Sequence, residues 1–350
     1  MKGWHQICHR TDFVLVQPVP WTFDPRGGDM TEETFSSGPT VEDIKDALSR
    51  TGFLLEHRVA QTLRRPPHWN ADISQAYPDP ETGKSREIDV FASIVRYVSR
   101  KPEELAITAR LIIECKNNSA PFVLIGNLVK NFPHFDDSVI LTFDPLRLRF
   151  PKAPLRLAKL ELHLDHLAGS IMEDEFTAYQ LLRLVRQNKV WKAGNNAIYD
   201  SILYPLAKAW SYTIDRVRKD KEEDEKRHGI ESWRFPWLYY FFPIVVTSGQ
   251  LFVLDVSDEN LQVSGAKWAK IKRSFYSADL KCDLRADVVS FDHWDEYLES
   301  RVVRTIDSAE DTLKKNLNLF DPEWLLANLG EPETKDDFYR WLNSTRKAKG

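Results

Sequence analysis

The stretch Thr108-Ala-Arg-Leu-Ile-Ile-Glu-Cys-Lys116 narrows the folds open to this chain. Leu111-Ile112-Ile113 is a continuous apolar run, as expected for a central strand covered on both faces. Glu114 and Lys116 follow at once and flank Cys115. A strand buried on both faces needs layers above and below it, so the reading is a layered α/β fold. Residues i and i+2 of a strand point to the same face. Glu114 and Lys116 therefore project together at the end of a buried strand.

The rest of the chain can supply those layers. Its 350 residues allow one large domain or two modest ones. Apolar residues make up 42% and charged residues 29%, which excludes wholesale disorder. The net charge of −4 argues against a uniformly basic coat for nucleic acid and leaves room for a local basic groove. Cys8, Cys115 and Cys282 are too few and too scattered for a disulfide framework. Met1–Pro20 carries His, Arg and Asp where a leader would be apolar, and no apolar run reaches the ~18 residues of a membrane span. The expectation is a cytoplasmic protein with no membrane partner.

Punctuation and periodicity predict the elements. Residues 1–39, rich in loop signals, form an N-terminal appendage. Thr40 is an N-cap for a short helix over Val41–Leu48, and a second helix covers Phe53–Leu63 until Pro66-Pro67. Strands Trp69–Tyr77 and Arg86–Ser99 flank the turn Pro78–Gly83. After Thr108–Lys116, Phe122–Ile125 is a short strand. Glu173–Lys189 and Ala197–Lys226 are expected as long helices, the second ending in a solvated charge run of mixed sign. Trp237–Val246 and Gln250–Val256 are expected to form a hairpin about Ser248-Gly249. Trp268–Tyr276 and Val288–Phe291 are further strands. Two short helices, Glu323–Asn328 and Thr334–Arg346, complete the tail.

The chemistry concentrates between Glu56 and Lys116. Asp89 stands early in one strand, and Glu114 and Lys116 end the next. If these strands pair, the three side chains meet, and Glu56 on the preceding helix can join them. Two carboxylates on neighbouring strands make a hard oxygen site for Mg²⁺ or Mn²⁺, with the Cys115 carbonyl as a further donor. Such a cation supplies a more acidic water and charge neutralisation at a phosphate; a lysine beside it orients water or stabilises developing charge. A bare acid-x-Lys also occurs at Asp43-Ile-Lys45, Asp224-Glu-Lys226 and Asp279-Leu-Lys281. What singles out Glu114–Lys116 is the buried strand before it and the Asp-bearing strand before that. The competing reading is a structural ion pair at a strand end.

These residues resemble the PD-(D/E)xK, restriction-endonuclease-like nucleases. The resemblance rests on Gly52-Phe-Leu-Leu-Glu56, Asp79-Pro-Glu-Thr-Gly-Lys-Ser-Arg-Glu-Ile-Asp89-Val and Leu111-Ile-Ile-Glu-Cys-Lys116-Asn, and covers roughly the stretch from Gly52 to Asn117. Ile88 stands where the motif has Pro. The resemblance implies a mixed central sheet flanked by helices. It makes residues 40–305 a nuclease domain with an insertion around 126–167, and 306–350 a helical tail. It further implies metal binding at Glu56, Asp89, Glu114 and Cys115, catalysis by Glu56, Asp89, Glu114 and Lys116, and Mg²⁺- or Mn²⁺-dependent hydrolysis of nucleic acid. DNA is favoured over RNA, in a setting such as phage defence or DNA repair. A homodimer or a protein partner fits such enzymes. The alternative is a catalytically silent nuclease fold that binds nucleic acid or a protein.

Other signals carry less. Thr82-Gly-Lys-Ser85 looks like the end of a phosphate-binding loop, but Pro78 replaces its first glycine and no helix follows. His5, Cys8 and His9 have no fourth ligand, and His163 and His166 lack helical spacing. Glu87 shares a strand face with Asp89, and Gln180 falls on the expected helix Glu173–Lys189. Two basic clusters include aromatics: Arg183, Arg186, Lys189, Trp191 and Lys192, and Trp268, Lys270, Lys272 and Arg273. Cations neutralise phosphates and aromatics stack on bases, although a solvated face explains either cluster as well.

Overall fold

The computed structural model describes residues 38–317, except 80, 100–104, 119, 130–138, 142–174, 196–197, 229–236, 258, 260 and 316. The tail helices after Asp321, the histidines at 5, 9, 163 and 166, and most of the expected insertion lie outside the described residues. The chain divides into two compact units, Met1–Lys45 and Asp46–Gly350. In the first, helix α1 (Val41–Ser49) begins with a reciprocal cap. The Asp43 backbone N–H donates to Thr40 Oγ1 at 3.1 Å, and the Thr40 N–H donates back to Asp43 Oδ2 at 2.9 Å.

The second unit is α/β, a large mixed sheet flanked by helices. Helix α2 (Phe53–Leu63) precedes strands β1 (Asn70–Pro78), β2 (Ser85–Tyr97), β3 (Ala106–Lys116), β4 (Phe122–Val129), β5 (Val139–Leu141), β6 (Glu175–Gln187) and β7 (Val190–Gly194). A helical turn at Tyr199–Leu203 opens the long helix α3 (Tyr204–His228). Strands β8 (Trp237–Thr247), β9 (Leu251–Asp255), β10 (Gln262–Gly265), β11 (Trp268–Tyr276) and β12 (Lys281–Ser290) follow. Helices α4 (Trp294–Tyr297) and α5 (Arg304–Lys315) complete the described chain. The strands run in the order β1-β2-β3-β8-β12-β11-β6-β4-β9-β10, with β5 on β8 and β7 on β6.

Strand β3 is the central strand that its apolar run requires. It pairs antiparallel with β2 and parallel with β8, and nearly all of it is buried. Its alternate residues feed two cores. Leu111 and Ile113 pack with Leu55, Val59 and Leu63 of α2 and with Trp294, Ile306 and Leu313 from α4 and α5. Ile112 faces the other way, into a core built on Leu206, Trp210, Ile214 and Val217 of α3. Helix α5, which reaches into the expected tail 306–350, packs Ile306, Ala309 and Leu313 into the first layer.

Two sequence expectations fail. Glu173–Lys189 is not a helix but strand β6, pairing with β4, β7 and β11. Its Leu, Gln and Arg residues favour a helix in isolation, but paired neighbours on both edges override that weak preference. Gln180 accordingly sits opposite Ile125 of β4, not on a helix. Nor do β8 and β9 form a hairpin. β8 is occupied by β3 and β12, and β9 runs parallel to β4 and antiparallel to β10. The strand β4 also continues past the expected Ile125 through Gly126 to Val129.

The failed hairpin exposes an unusual corner. Two chain passages, β3 into β4 and β8 into β9, turn side by side. Ser248 N–H donates to the Lys116 carbonyl at 3.2 Å, Asn118 N–H donates to Ser248 Oγ at 3.0 Å, and Phe122 N–H donates to the Gln250 carbonyl at 2.9 Å. Gly249 makes the close approach possible. A Cβ there would lie 2.4 Å from the Asn118 carbonyl oxygen.

Candidate functional site

The corner holds the residues singled out above. The β2–β3 register ends with Val90 opposite Ile113, and Asp89 and Glu114 are the next residues outward on the two strands. Asp89 Oδ2 accepts a hydrogen bond from the Cys115 backbone N–H at 2.7 Å, which locks the carboxylate to the end of β3. Lys116 Nζ donates to Glu114 Oε1 at 2.5 Å. Glu56 lies in the first turn of α2 and is buried. The structure thus brings Glu56, Asp89, Glu114 and Lys116 together. Glu87 remains exposed.

The electrostatics are those of a site short of positive charge. Burial, then the neighbouring Asp89, pushes the Glu114 carboxyl up to about 7. Burial and Asp89 likewise push Glu56 up to about 6. Asp89 is raised by burial in spite of its hydrogen bond from Cys115 and the nearby Lys116. Burial opposes the charge on Lys116, but the adjoining Glu114 carboxylate outweighs it and holds the ammonium above its ordinary value. The Cys115 thiol is pushed well up by burial and the surrounding carboxylates, so it is no thiolate.

Three crowded carboxyls with raised proton affinity fit a hard divalent cation, whose charge would offset their repulsion. Glu114 Oε2 and Asp89 Oδ1 have no hydrogen-bond partner among the described residues. Still, no three His, Cys, Asp or Glu side chains among the described residues form a ready-made ligand group. Mg²⁺ commonly needs only one or two carboxylates, with waters and substrate phosphates completing its shell, so Asp89 and Glu114 suffice as the protein's share.

Several contributors escaped the sequence reading. Asn117 donates through Nδ2 to the carbonyls of Ser49 and Thr51, both at 2.6 Å, and accepts from Ser248 Oγ at 2.9 Å. It ties the end of β3 to the approach of α2. Its place directly after Lys116 was the only signal for it. A cleft of about 200 Å³ opens beside Lys116, lined also by Asn117, Asn118, Arg183, Ser201 and Ile202. Arg183 enters it from β6, a placement no sequence spacing could give.

A second polar cluster fixes the β1–β2 turn. Lys208 of α3 is buried. Its Nζ lies 3.0 Å from Asp79 Oδ2 and 2.7 Å from Glu81 Oε2. Arg86 also pairs with Asp79, and the hydroxyls of Tyr204 and Ser277 donate to Glu81. Burial would raise Asp79, but the Lys208 ammonium and the turn amides hold it far below the carboxylate range. Hydrogen bonds from Lys208, Tyr204 and Ser277 lower Glu81 to about 2. Every charge here is satisfied within the cluster, which makes it a clamp on the turn that leads into β2. Thr82–Lys84 lies within that turn, and Ser85 opens strand β2 and no helix.

Of the two basic clusters, one disperses. Trp268 packs edge-on against Tyr297, and Arg273 lies over Tyr199. Cys115 and Cys282 are free thiols. No helix among the described residues is long and apolar enough to cross a membrane. Set beside known proteins, the chain matches no family model, no curated protein and no solved structure.

Proposed function

We propose that this chain is a metal-dependent nuclease with a restriction-endonuclease-like core around β1–β3, hydrolysing phosphodiester bonds of nucleic acid, DNA in preference to RNA. One observation carries the reading: the Asp89 carboxylate is hydrogen-bonded to the Cys115 N–H between Glu114 and Lys116, with Lys116 Nζ 2.5 Å from Glu114 and a cleft open beside it. Asp89 and Glu114 would hold Mg²⁺ or Mn²⁺, with Glu56 nearby. A divalent cation in that place supplies a more acidic water and neutralises phosphate charge.

The protein's own groups have separable tasks. Lys116, held protonated by Glu114, donates from Nζ to a phosphate oxygen and stabilises the negative charge that grows there. It is a poor general base for the same reason. Asp89 is kept in place by the Cys115 N–H, and Asn117 and Gly249 keep the strand end from moving.

The test is a cleavage assay on linear and circular duplex DNA, single-stranded DNA and RNA, in Mg²⁺, Mn²⁺ or EDTA. Cutting should need the metal and should fall at least about a hundredfold in Lys116→Ala. Equal turnover in the variant would refute the assignment.

A second reading has its own support, since the Glu114–Lys116 pair satisfies both charges without any ligand. A catalytically silent module that binds nucleic acid or a protein would keep that pair for stability alone. Calorimetry with Mn²⁺ separates the two. Binding that disappears in Asp89→Asn favours the nuclease, and no binding with or without nucleic acid favours the module.

A further inference from the structure

The β6–β7 hairpin plays no part in the proposed chemistry, yet it grows out of the cleft beside Lys116. Arg183 lines that cleft, and from there the two strands run outward to a two-residue turn at Asn188-Lys189. Between Phe176 and Asn195 the sequence has four cations and no Asp or Glu, in a chain of net charge −4. None of Arg183, Arg186, Lys189 and Lys192 is paired with an acid among the described residues.

The register distributes these cations over both faces. Arg183 pairs with Gly194 and Val185 with Lys192, so Arg183 and Lys192 share one face. Arg186 pairs with Trp191 on the other, its guanidinium 5.9 Å from the indole ring centroid. Lys189 occupies the tip. Val190 and Trp191 are 61% and 55% exposed, so the ribbon's end stands clear of the core. Asn188 and Lys189 both have positive φ, 49° and 67°, in a turn where glycine would suit the second position better. A lysine in that strained place keeps a cation at the tip.

Cations on one face would suit a flat anionic surface. Cations on both faces and at the end suit a ribbon lying between two rows of phosphates. The major groove of B-form DNA, about 12 Å wide, admits a two-stranded β-ribbon. We infer that the β6–β7 hairpin enters the major groove of duplex DNA, with Arg183 at its base holding a backbone phosphate in the cleft beside Lys116. This rests on the nuclease reading only for what happens at Lys116; groove binding stands or falls separately.

The experiment is fluorescence anisotropy on the full chain in EDTA, so that no cleavage is needed. The probes are a dye-labelled DNA duplex, the RNA duplex of the same sequence, and each single strand. A-form RNA has a deep, narrow major groove closed to such an arm. DNA duplex should bind at least about tenfold tighter than RNA duplex. The triple variant Arg186→Gln, Lys189→Gln, Lys192→Gln should erase that preference. It should also flatten the dependence of log K on log salt by about 2–3, near 0.9 for each phosphate that is no longer neutralised. Arg183→Gln should flatten it by about 1. An unchanged preference and slope in the triple variant would overturn the inference. So would equal binding of single strands that Trp191→Ala abolishes, which would reassign the hairpin to base stacking. Cleavage that survives in the triple variant with unaltered DNA affinity leaves the nuclease and removes the arm. DNA binding with no cleavage in any metal leaves the arm and removes the nuclease.

Discussion

One Asp89 oxygen holds the Cys115 N–H and the other is the proposed cation ligand, and substitution separates the two. Oδ2 accepts the Cys115 N–H, so Asp89→Ala leaves a buried donor unpaired at a cost of about 1–3 kcal/mol. Asp89→Asn keeps an acceptor there but removes the charge. Urea titration should find the Asn variant close to the parent and the Ala variant destabilised, while both should lose the proposed metal-dependent cleavage. Lys208 offers a second residue-scale prediction. Glu81 has its pKa lowered from 4.5 to about 2, so the folded state holds fewer protons than the unfolded chain between those values. The stability from this clamp is therefore complete above about pH 4.5 and is lost as pH falls toward 2. Lys208→Met should cost about 3 kcal/mol at neutral pH by leaving buried Asp79 with Arg86 alone and Glu81 with no cation among the described residues. It should also flatten the acid limb of stability against pH, measured by urea unfolding at successive pH values. Asp89, Glu114 and Lys116 were legible in the sequence because strand spacing and a buried run placed them, and Glu56 because the helix before them could bring it near. The clamp was not, although Lys208 sits between Ala207 and Ala209 in an apolar helix segment that leaves a cation in need of a partner.

At the scale of elements, the sequence was most informative where one local force dominated. The capped α1, the Pro-stopped α2 and the apolar β3 fell within a residue or two of their expected limits. β6 was misread because its composition suits a helix, while its partners β4 and β11 lie far away in sequence. The β8–β9 hairpin was misread for a related reason: Ser248-Gly249 has turn chemistry, but pairing depends on which edges are already filled. There Gly249 serves close packing in place of a hairpin turn. Gly249→Ala would drive a Cβ to 2.4 Å from the Asn118 carbonyl, and backbone must shift to admit it. The expected result is a loss of about 1–3 kcal/mol with a drop in cleavage, as the loop after Lys116 moves. Calorimetry and turnover on the same preparation check both, and Gly265→Ala, where a Cβ meets nothing, is the control.

Over the molecule as a whole, β3 is the wall between two cores. Ile113 belongs to the α2, α4 and α5 layer, and Ile112 to the α3 layer. Either changed to Ala should cost about 2–5 kcal/mol. Because one strand serves both layers, each variant should still melt in a single calorimetric transition; two separated transitions in either would show that the layers fold independently. The side-by-side corner has a further consequence, for the order of synthesis. Glu56, Asp89, Glu114 and Lys116 leave the ribosome early, but the strand that covers β3 and the Ser248 that holds the Lys116 carbonyl come more than a hundred residues later. A nascent chain stopped before β8 carries all four side chains and the β2–β3 pairing, but leaves the other edge of β3 open and the Lys116 carbonyl without Ser248. The complete corner therefore cannot form until β8 and Ser248 have been synthesised.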